Sequence, residues 1–402
     1  MKDERKTAPV IRFNGFSDAW EQRKLGDESD VRDGTHDSPQ YFDTGYPLVT
    51  SKNLKNHGLD LKDVSLIAEA DYNAINHRSK VDEGDILFGM IGTIGNPVLV
   101  RQTNFAIKNV ALIKEHKRIL NQFLIQLLKS PVFERYIKSE NAGGTQKFLA
   151  LSKIRSFEFK VPNLEEQQKI GTFFKQLDNT IALHQRKLDT LKLMKKGFLQ
   201  QMFPEKGEKV PKLRFADFEE EWEQRKIRDF LTESKTKGSN GLIAKKLTVK
   251  LWRKGIIAKE EIYSGSSATK YYVRKAGQFM YGKLDFINQA FGIIPTELDG
   301  YESTIDSPAF DFQNEINPHF FFEYISLRQF YEYQGNIANG SRIAKRIHTE
   351  TFFEMPILTP SQEEQEKIGL FIKQVDSKID FHQTKLNILN RFKKAYLQNM
   401  FI

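Results

Sequence analysis

One stretch of this chain is written twice. From Glu165, EEQQKIGTFFKQLDNTIALHQRKLDTLKLMKKGFLQQMF matches EEQEKIGLFIKQVDSKIDFHQTKLNILNRFKKAYLQNMF from Glu363, with 22 of the 39 paired positions identical at a fixed offset of 198 residues. Chance does not produce that match, so the chain is an internal duplication. A shorter repeat opens each half: PVIRFNGFSDAWEQRK from Pro9 and PKLRFADFEEEWEQRK from Pro211, offset by 202. Each half is therefore an opening motif, a long unmatched stretch and a shared closing motif. The unmatched stretches, roughly 25–160 and 227–358, are where the halves differ. A common frame around two different inserts suggests one task performed on two different targets.

The closing repeat reads as helix with a heptad seam. Ile170, Phe174, Leu177, Ile181, His184, Leu188, Leu191, Lys195, Phe198 and Met202 alternate in steps of 4 and 3, as do Ile368, Ile372, Val375, Ile379, His382, Leu386, Leu389, Lys393, Tyr396 and Met400; this is the spacing of a coiled-coil seam. Glu165 and Glu166, with Glu363, Glu364 and Glu366, put negative charge at the helix starts. Lys195, Lys196, Lys393 and Lys394 put positive charge near the ends, and both suit the helix dipole. Pro162 and Pro360 mark the starts. About 38 residues at 1.5 Å each make rods of roughly 57 Å.

Connectivity favours an antiparallel pair. The first helix ends near Phe203 and feeds the second insert, which feeds the start of the second helix, so those two ends are already neighbours if the helices oppose. The repeats then face each other about a pseudo-two-fold axis, and His184 is expected close to His382. Two readings of these histidines stay open: a buried polar pair that fixes register, or seam-edge side chains with solvated ring nitrogens.

The inserts read as mixed α/β. In the first, 47–54, 84–100 and 109–114 look like strands and 119–130 like a helix; in the second, 270–286 looks like strand and 319–333 like a helix. Gly84 aligns with Gly277 before a strand, and Gly-Gly-Thr at 143–145 with Gly-Ser at 340–341 before the closing strand. Trp20 and Trp222, in the two WEQRK motifs, read as packing staples. At 402 residues with 39% hydrophobic content the chain can bury several cores. It has no cysteine, which excludes disulfides, thiolate metal sites and thiol nucleophiles. The charged start and the shortness of every apolar run predict a cytoplasmic protein. A net charge of +9 favours a polyanionic partner such as nucleic acid.

The paired EEQxKIG…MF segments, the two WEQRK openings, GTH at 34–36, YPLVTSKNL at 46–54 and FMYGKLDFINQAFGI at 279–293 strongly resemble the specificity subunit of type I restriction-modification systems, over nearly the whole chain. The resemblance implies an α+β architecture: two mixed α/β target-recognition domains in a pseudo-two-fold arrangement, separated by two long conserved helices forming an antiparallel coiled coil. The expected organisation is an N-terminal segment 1–19, recognition domain 20–163, spacer helix 164–204, recognition domain 205–361 and spacer helix 362–402. Each domain would read one half of a bipartite, asymmetric site on double-stranded DNA. The subunit would direct two modification subunits, which methylate adenine N6 from S-adenosylmethionine, and two ATP-dependent restriction subunits. S-adenosylmethionine, ATP and magnesium are expected on those partners, and no cofactor in this chain.

The residues agree that the chemistry lies elsewhere. No GxxxxGK[ST] loop occurs, and the glycines of FGMIGTIG (88–95) do not fit GxGxxG opening a helix; they suit bulges or turns. SPAF (307–310) and NPHF (317–320) lack the second proline of an amino-methyltransferase motif. No HExxH or other metal spacing appears, so the chain is expected to be no enzyme. The closing helices carry +3 (165–204) and +2 (362–402), leaving +4 of the +9 for the rest. DNA binding must then use placed residues rather than a uniformly basic surface. Candidates are Arg32, Gly34, Thr35, His36, Lys52, Asn53, Thr145, Gln146 and Lys147 in the first domain, and Lys283, Asn288, Arg342, Lys345 and Arg346 in the second. Arg and Lys can address guanine, Asn and Gln adenine, and the Gly-Thr and Gly-Ser turns allow close approach to phosphate. A stand-alone bivalent DNA-binding protein of repressor type shares these features. A nuclease with a diverged site would instead cut DNA in magnesium as the pure chain.

Overall fold

The computed structural model describes residues 7–55, 58–116, 118–140, 148–260, 266–336, 340–341 and 344–402. The chain divides into two compact units, one of residues 1–186 with 383–402 and the other of residues 187–382. Each is built to the same plan.

In the first unit the central sheet has the strand order Asp30–Asp33, Val110–Lys114, Ile86–Gly89, Gly95–Leu99. Alternation along these strands sends Ile86, Phe88, Ala111 and Ile113 into a core with Trp20, Phe123 and Phe133, while Leu87, Leu112, Val98 and Val110 enter a second core with Val49 and Ile107. A sheet covered on both faces explains why Ile86–Gly89 is buried throughout. In the second unit the order Leu231–Ser234, Ala309–Phe312, Phe279–Tyr281, Phe291–Ile293 repeats the first. Phe279, Tyr281 and Phe310 face one core, Met280 and Ala309 the other. The Gly84–Gly277 alignment is borne out in detail. Both glycines have positive φ, +91° and +84°, and each N–H donates across a hairpin, Gly84 to Val100 O (3.0 Å) and Gly277 to Ile294 O (2.8 Å).

The second layer is where the inserts diverge. The first unit carries a four-stranded sheet in the order Ala106–Ile107, Tyr46–Val49, Ser65–Ile67, Tyr41–Phe42, with the helix Glu69–Ser79 beside it and Tyr72 stacked on Tyr46 at 4.1 Å. The second unit has instead a three-stranded sheet of Lys237–Asn240, Lys270–Val273 and Glu302–Ser303, and a separate ribbon of Leu247–Val249 with Ile256–Ala258.

The repeated motifs are the staples of both units. EQRK forms strands Glu21–Lys24 and Glu223–Lys226, paired antiparallel with Glu158–Val161 and Pro356–Thr359. Arg12 of the first opening motif makes a bidentate pair with the buried Glu166 (2.7 and 2.8 Å), and Arg214 of the second does the same with Glu364 (2.8 and 2.8 Å). Gln167 donates to Pro162 O and accepts from Leu120 N, both at 3.0 Å; Gln365 repeats this with Pro360 O and Asn317 N, again at 3.0 Å. The glycine of KIG permits close helix packing: a Cβ on Gly171 would lie 2.9 Å from Gln122 Cβ, and one on Gly369 2.5 Å from Asn317 Oδ1. Trp20 and Trp222 are buried, each edge-on to a core phenylalanine, Phe123 and Phe320 respectively. Residues 7–19 are integral to the first unit, with Phe13 edge-on to Phe173 at 5.9 Å.

The long helices span Leu164–Gln201 and Gln362–Asn399. Asn163 Oδ1 and Ser361 Oγ accept from the N–H groups of Glu166 and Glu364, capping the starts. Every seam position named above is buried or half-buried, His184 and His382 among the half-buried ones. Pairing runs antiparallel within each unit. In the first, Phe173 meets Tyr396 (4.9 Å) and Asp178 meets Lys393 (2.6 Å); in the second, Lys195 meets Asp376 (2.7 Å) and Phe198 meets Phe371 (4.9 Å). The two seam lysines thus each reach an aspartate on the opposing helix, at equivalent places in the repeat.

Several expected elements are subdivided. The helix expected over 319–333 is two, Pro318–Ile325 and Arg328–Asn336, with Ser326 in the break and its Oγ–H donating to Phe322 O. The strand expected over 84–100 is a hairpin of Ile86–Gly89 and Gly95–Leu99, turned through Gly92 and Gly95, both with positive φ. The segment 270–286 holds only Lys270–Val273 and Phe279–Tyr281 as strand. Of 47–54, only Tyr46–Val49 enters a sheet before the chain turns at Ser51–Asn53.

Lys129 sits at the end of the helix Asn121–Leu128, where burial, aided by nearby Lys393 and opposed by Asp178, pushes its ammonium down to about 8. Between that value and the ordinary 10.5 the unfolded chain binds the extra proton, so this group's penalty is full below pH 8 and fades as pH rises to about 10.5. Lys129→Met is therefore expected to stabilise the first unit at pH 7, by up to about 3 kcal/mol. Urea melts of both proteins should show the gain shrinking between pH 8 and pH 10.

Candidate nucleic-acid interface

In the first unit, the loop after Asp30–Asp33 folds against the segment before Val110–Lys114. Gly34 donates to Val110 O (3.1 Å), Thr35 N to Ile107 O (3.0 Å), and Asn109 N to Thr35 O (3.1 Å). A Cβ at Gly34 would stand 2.1 Å from Ile107 O, so this approach requires glycine. His36 bridges the two segments, Nδ1 to Asn109 Oδ1 at 2.7 Å and Nε2 to Asp33 Oδ2 at 2.9 Å. Its hydrogen bonds to Asn109 and then Asp33 raise its pKa and favour the imidazolium. Burial works to raise the Asp33 carboxyl, yet hydrogen bonds from His36 and Arg78 hold it below the usual range. Arg32 pairs with Asp30 at 2.6 Å, and Lys108 Nζ donates to Ser38 Oγ at 2.6 Å. Ser51 Oγ donates to Asn109 O (3.4 Å), which places exposed Lys52 beside the same cluster. The structure therefore brings Arg32, Gly34, Thr35, His36 and Lys52 together, and adds Arg78, Lys108 and Asn109.

Asn53 is placed differently. Its Oδ1 accepts from Thr50 N and Oγ1, and its Nδ2 donates to Asp60 O and Asp63 O, so the buried amide is wholly engaged in shaping the turn. Thr145, Gln146 and Lys147, with the glycines at 143–144, lie outside the described residues.

In the second unit Lys283 and Arg346 converge on Asp306. Arg346 Nη1 is 2.8 Å from Asp306 Oδ1, and Lys283 N donates to Asp306 O at 2.9 Å. Burial lowers the Lys283 pKa, and neighbouring Glu233 and Asp306 oppose that shift. Asn288 is elsewhere: Nδ2 donates to Asp285 Oδ1 (3.1 Å) and its carbonyl accepts from Trp252 N (2.8 Å). Arg342 lies outside the described residues, and Lys345 is placed only by backbone, in Ala344–Lys345 paired with Gly340–Ser341. The sequence reading missed residues 245–259, where Lys245, Lys246, Lys250, Arg253, Lys254 and Lys259 occur with no acidic residue. Domain-wide charge counting diluted that local signal.

Both clusters occupy the same edge of the shared sheet: where Ile86–Gly89 and Phe279–Tyr281 end and where Val110–Lys114 and Ala309–Phe312 begin. The two segments weighed as catalytic motifs are structural. Asn317 of NPHF caps a helix by accepting from His319 N and Phe320 N at 3.0 Å, and SPAF runs into the buried strand Ala309–Phe312. Among the described residues no group of three or more His, Cys, Asp or Glu could hold a metal, and no helix is long and apolar enough to cross a membrane.

The same two-layered α/β plan recurs within one chain, and in each unit the two long helices pack antiparallel. Residues 17–193, under half of the chain, match the type I restriction modification DNA specificity domain. It is 25% identical over 174 residues to the type I restriction enzyme MjaIX specificity subunit of Methanocaldococcus jannaschii, covering 40% of this chain and 38% of that one. It is 30% identical over 136 residues to the EcoBI specificity subunit of Escherichia coli, covering 33% of this chain and 28% of that one. The matches thus span well under half the length of these relatives. The fold is similar to the crystal structure of a type I restriction-modification S subunit from M. genitalium, with a TM-score of 0.65, 14% identity, and coverage of 98% of this chain and 99% of that one.

Proposed function

We propose that this chain is the DNA-reading subunit of a type I restriction-modification complex, each unit reading one half of a bipartite, asymmetric site. One observation carries the reading. The two units share their sheet, their helix staples and their motif contacts, yet at the same sheet edge one presents Arg32, His36, Lys52 and Lys108 and the other Arg346 and Asp306, with Lys283 buried. Phosphate contacts position a protein while side chains at base edges specify sequence, so equal scaffolds with unequal edges suit two different half-sites. The chain itself supplies recognition in this proposal. Two modification subunits bring S-adenosylmethionine and methylate adenine N6; two restriction subunits bring ATP and magnesium, and the complex works in the cytoplasm. Exposed Leu183, Leu193 and Met194 on the first helix and Leu370, Phe381 and Phe392 on the second support docking of protein partners along the helices. Methylome sequencing of a host carrying this protein with its modification partner tests the proposal: one asymmetric, interrupted adenine-methylated motif is expected. A methylome unchanged by the protein would contradict it.

A further inference from the structure

Strand register identifies one position that both units have at this sheet edge and fill differently. In the first unit Ile113 lies opposite Ile86 and Val110 opposite Gly89, and continuing the pairing sets Asn109 opposite Met90. In the second, Phe310 lies opposite Phe279 and Ala309 opposite Met280, and the pairing runs on to Lys283, whose N donates to Asp306 O at 2.9 Å. A second contact confirms that Met90 and Lys283 are equivalent. Each carbonyl accepts from an N–H just ahead of a short helix: Met90 O from Leu149 N before Leu151–Arg155, and Lys283 O from Ile347 N before Thr349–Phe353, both at 2.9 Å. Asn109 and Asp306 therefore occupy the same place in the fold.

Each of the two side chains is gripped at one oxygen and open beyond it. Asp306 Oδ1 lies 2.8 Å from Arg346 Nη1, with the two side chains 48% and 38% exposed. Asn109 Oδ1 lies 2.7 Å from His36 Nδ1. His36 Nε2 faces the Asp33 carboxylate, which accepts only, so that nitrogen carries hydrogen. The raised pKa of the ring puts hydrogen on Nδ1 as well, so Asn109 turns its oxygen to the imidazolium and its Nδ2 away. Asn109 Nδ2 and Asp306 Oδ2 make no hydrogen bond among the described residues. Asn109 is also fixed by its backbone, which is left-handed at φ +55°, donates from N to Thr35 O (3.1 Å) and accepts at its carbonyl from Ser51 Oγ (3.4 Å). A side chain already held in place loses little freedom when its remaining polar atoms bind. What differs is the chemistry presented: an amide offers a donor and an acceptor, a carboxylate only acceptors.

Resting on the proposed function, we infer that Asn109 and Asp306 are the equivalent base-reading residues of the two units: Asn109 pairs with N6 and N7 of an adenine, and Asp306 accepts from N4 of a cytosine. His36 and Arg346 are positioning residues that aim them. Amide against carboxylate at one place in a common scaffold makes the two half-sites unequal at the base pair which that place faces.

The test uses the full chain, assembled with its modification partners, on a duplex bearing its methylated motif and on duplexes with one base pair of that motif changed at a time. Asn109→Gly removes the amide and keeps the left-handed backbone. It is expected to lose discrimination at one adenine of one half-site, by about 5- to 150-fold, with every other position unchanged. Asp306→Asn is expected to move the preference from cytosine to adenine at one position of the other half-site. His36→Ala should weaken discrimination at the Asn109 position alone, and His36→Asn, which returns a donor to Asn109, should recover it. Weaker binding by a common factor on all duplexes would make these residues backbone contacts and overturn the assignment, as would both variants altering the same half-site. Discrimination unchanged in Asn109→Gly and Asp306→Asn would overturn it too, and leave the proposed function standing. A wild type that binds every duplex alike would overturn both.

Discussion

Arg214→Ala is expected to destabilise the second unit by about 3–5 kcal/mol, the cost of leaving a buried carboxylate without its partner. Glu364 is fully buried and its two oxygens are held by Arg214 alone among the side-chain contacts described. The equivalent Arg12→Ala should cost less, because Trp20 Nε1 donates to Glu166 Oε2 at 3.3 Å and remains after the arginine is removed. In the second unit the matching Trp222 Nε1 has no hydrogen-bond partner among the described residues. Urea unfolding followed by tryptophan fluorescence would rank the two variants. Equal losses would mean that the tryptophan contributes nothing to holding the carboxylate.

Inserting one heptad into both long helices at matching places is expected to lengthen the unspecified gap of the recognised site by about three base pairs, with both half-sites unchanged. Seven residues add about 10 Å of helix, and the 3-4 seam is preserved because the period is kept. Helix Leu164–Gln201 gives residues 164–186 to the first unit and the rest to the second, so extra length falls between the two recognition surfaces along the chain. A four-residue insertion should instead break the seam. It would carry Lys195 and Lys393 off the aspartates they reach, Asp376 and Asp178, and is expected to cost folding or assembly. The methylated motif of each variant decides: an unchanged gap in the heptad variant would mean that the helices are not the ruler.

The frame was legible because duplication exposes it. Residues that recur at fixed offsets, Arg12 with Arg214, Glu166 with Glu364, Gly171 with Gly369, recur because each unit solves the same packing problem with the same contacts. The helix pairing was legible from seam periodicity. The second layer was not. The helix Glu69–Ser79, EADYNAINHRS, has no apolar stripe, since only Tyr72 and Ile75 join its small core, and periodicity carries no signal without one. The candidate loop Gly34–His36 was found from residue type, but its partners Lys108 and Asn109 come from a strand end 73 residues away and are joined only by folding. Asn53 shows the opposite difficulty: an amide that could read adenine is consumed by its own turn, and composition does not separate the two uses.

The central claim is that the two inserts are independent readers held in one frame. It is tested most directly by exchanging residues 25–160 for the corresponding stretch of a related specificity subunit and sequencing the methylome of a host carrying the chimera with its modification partner. The account predicts that one half-site changes while the other half-site and the gap stay as they were. A change in both half-sites together would contradict it.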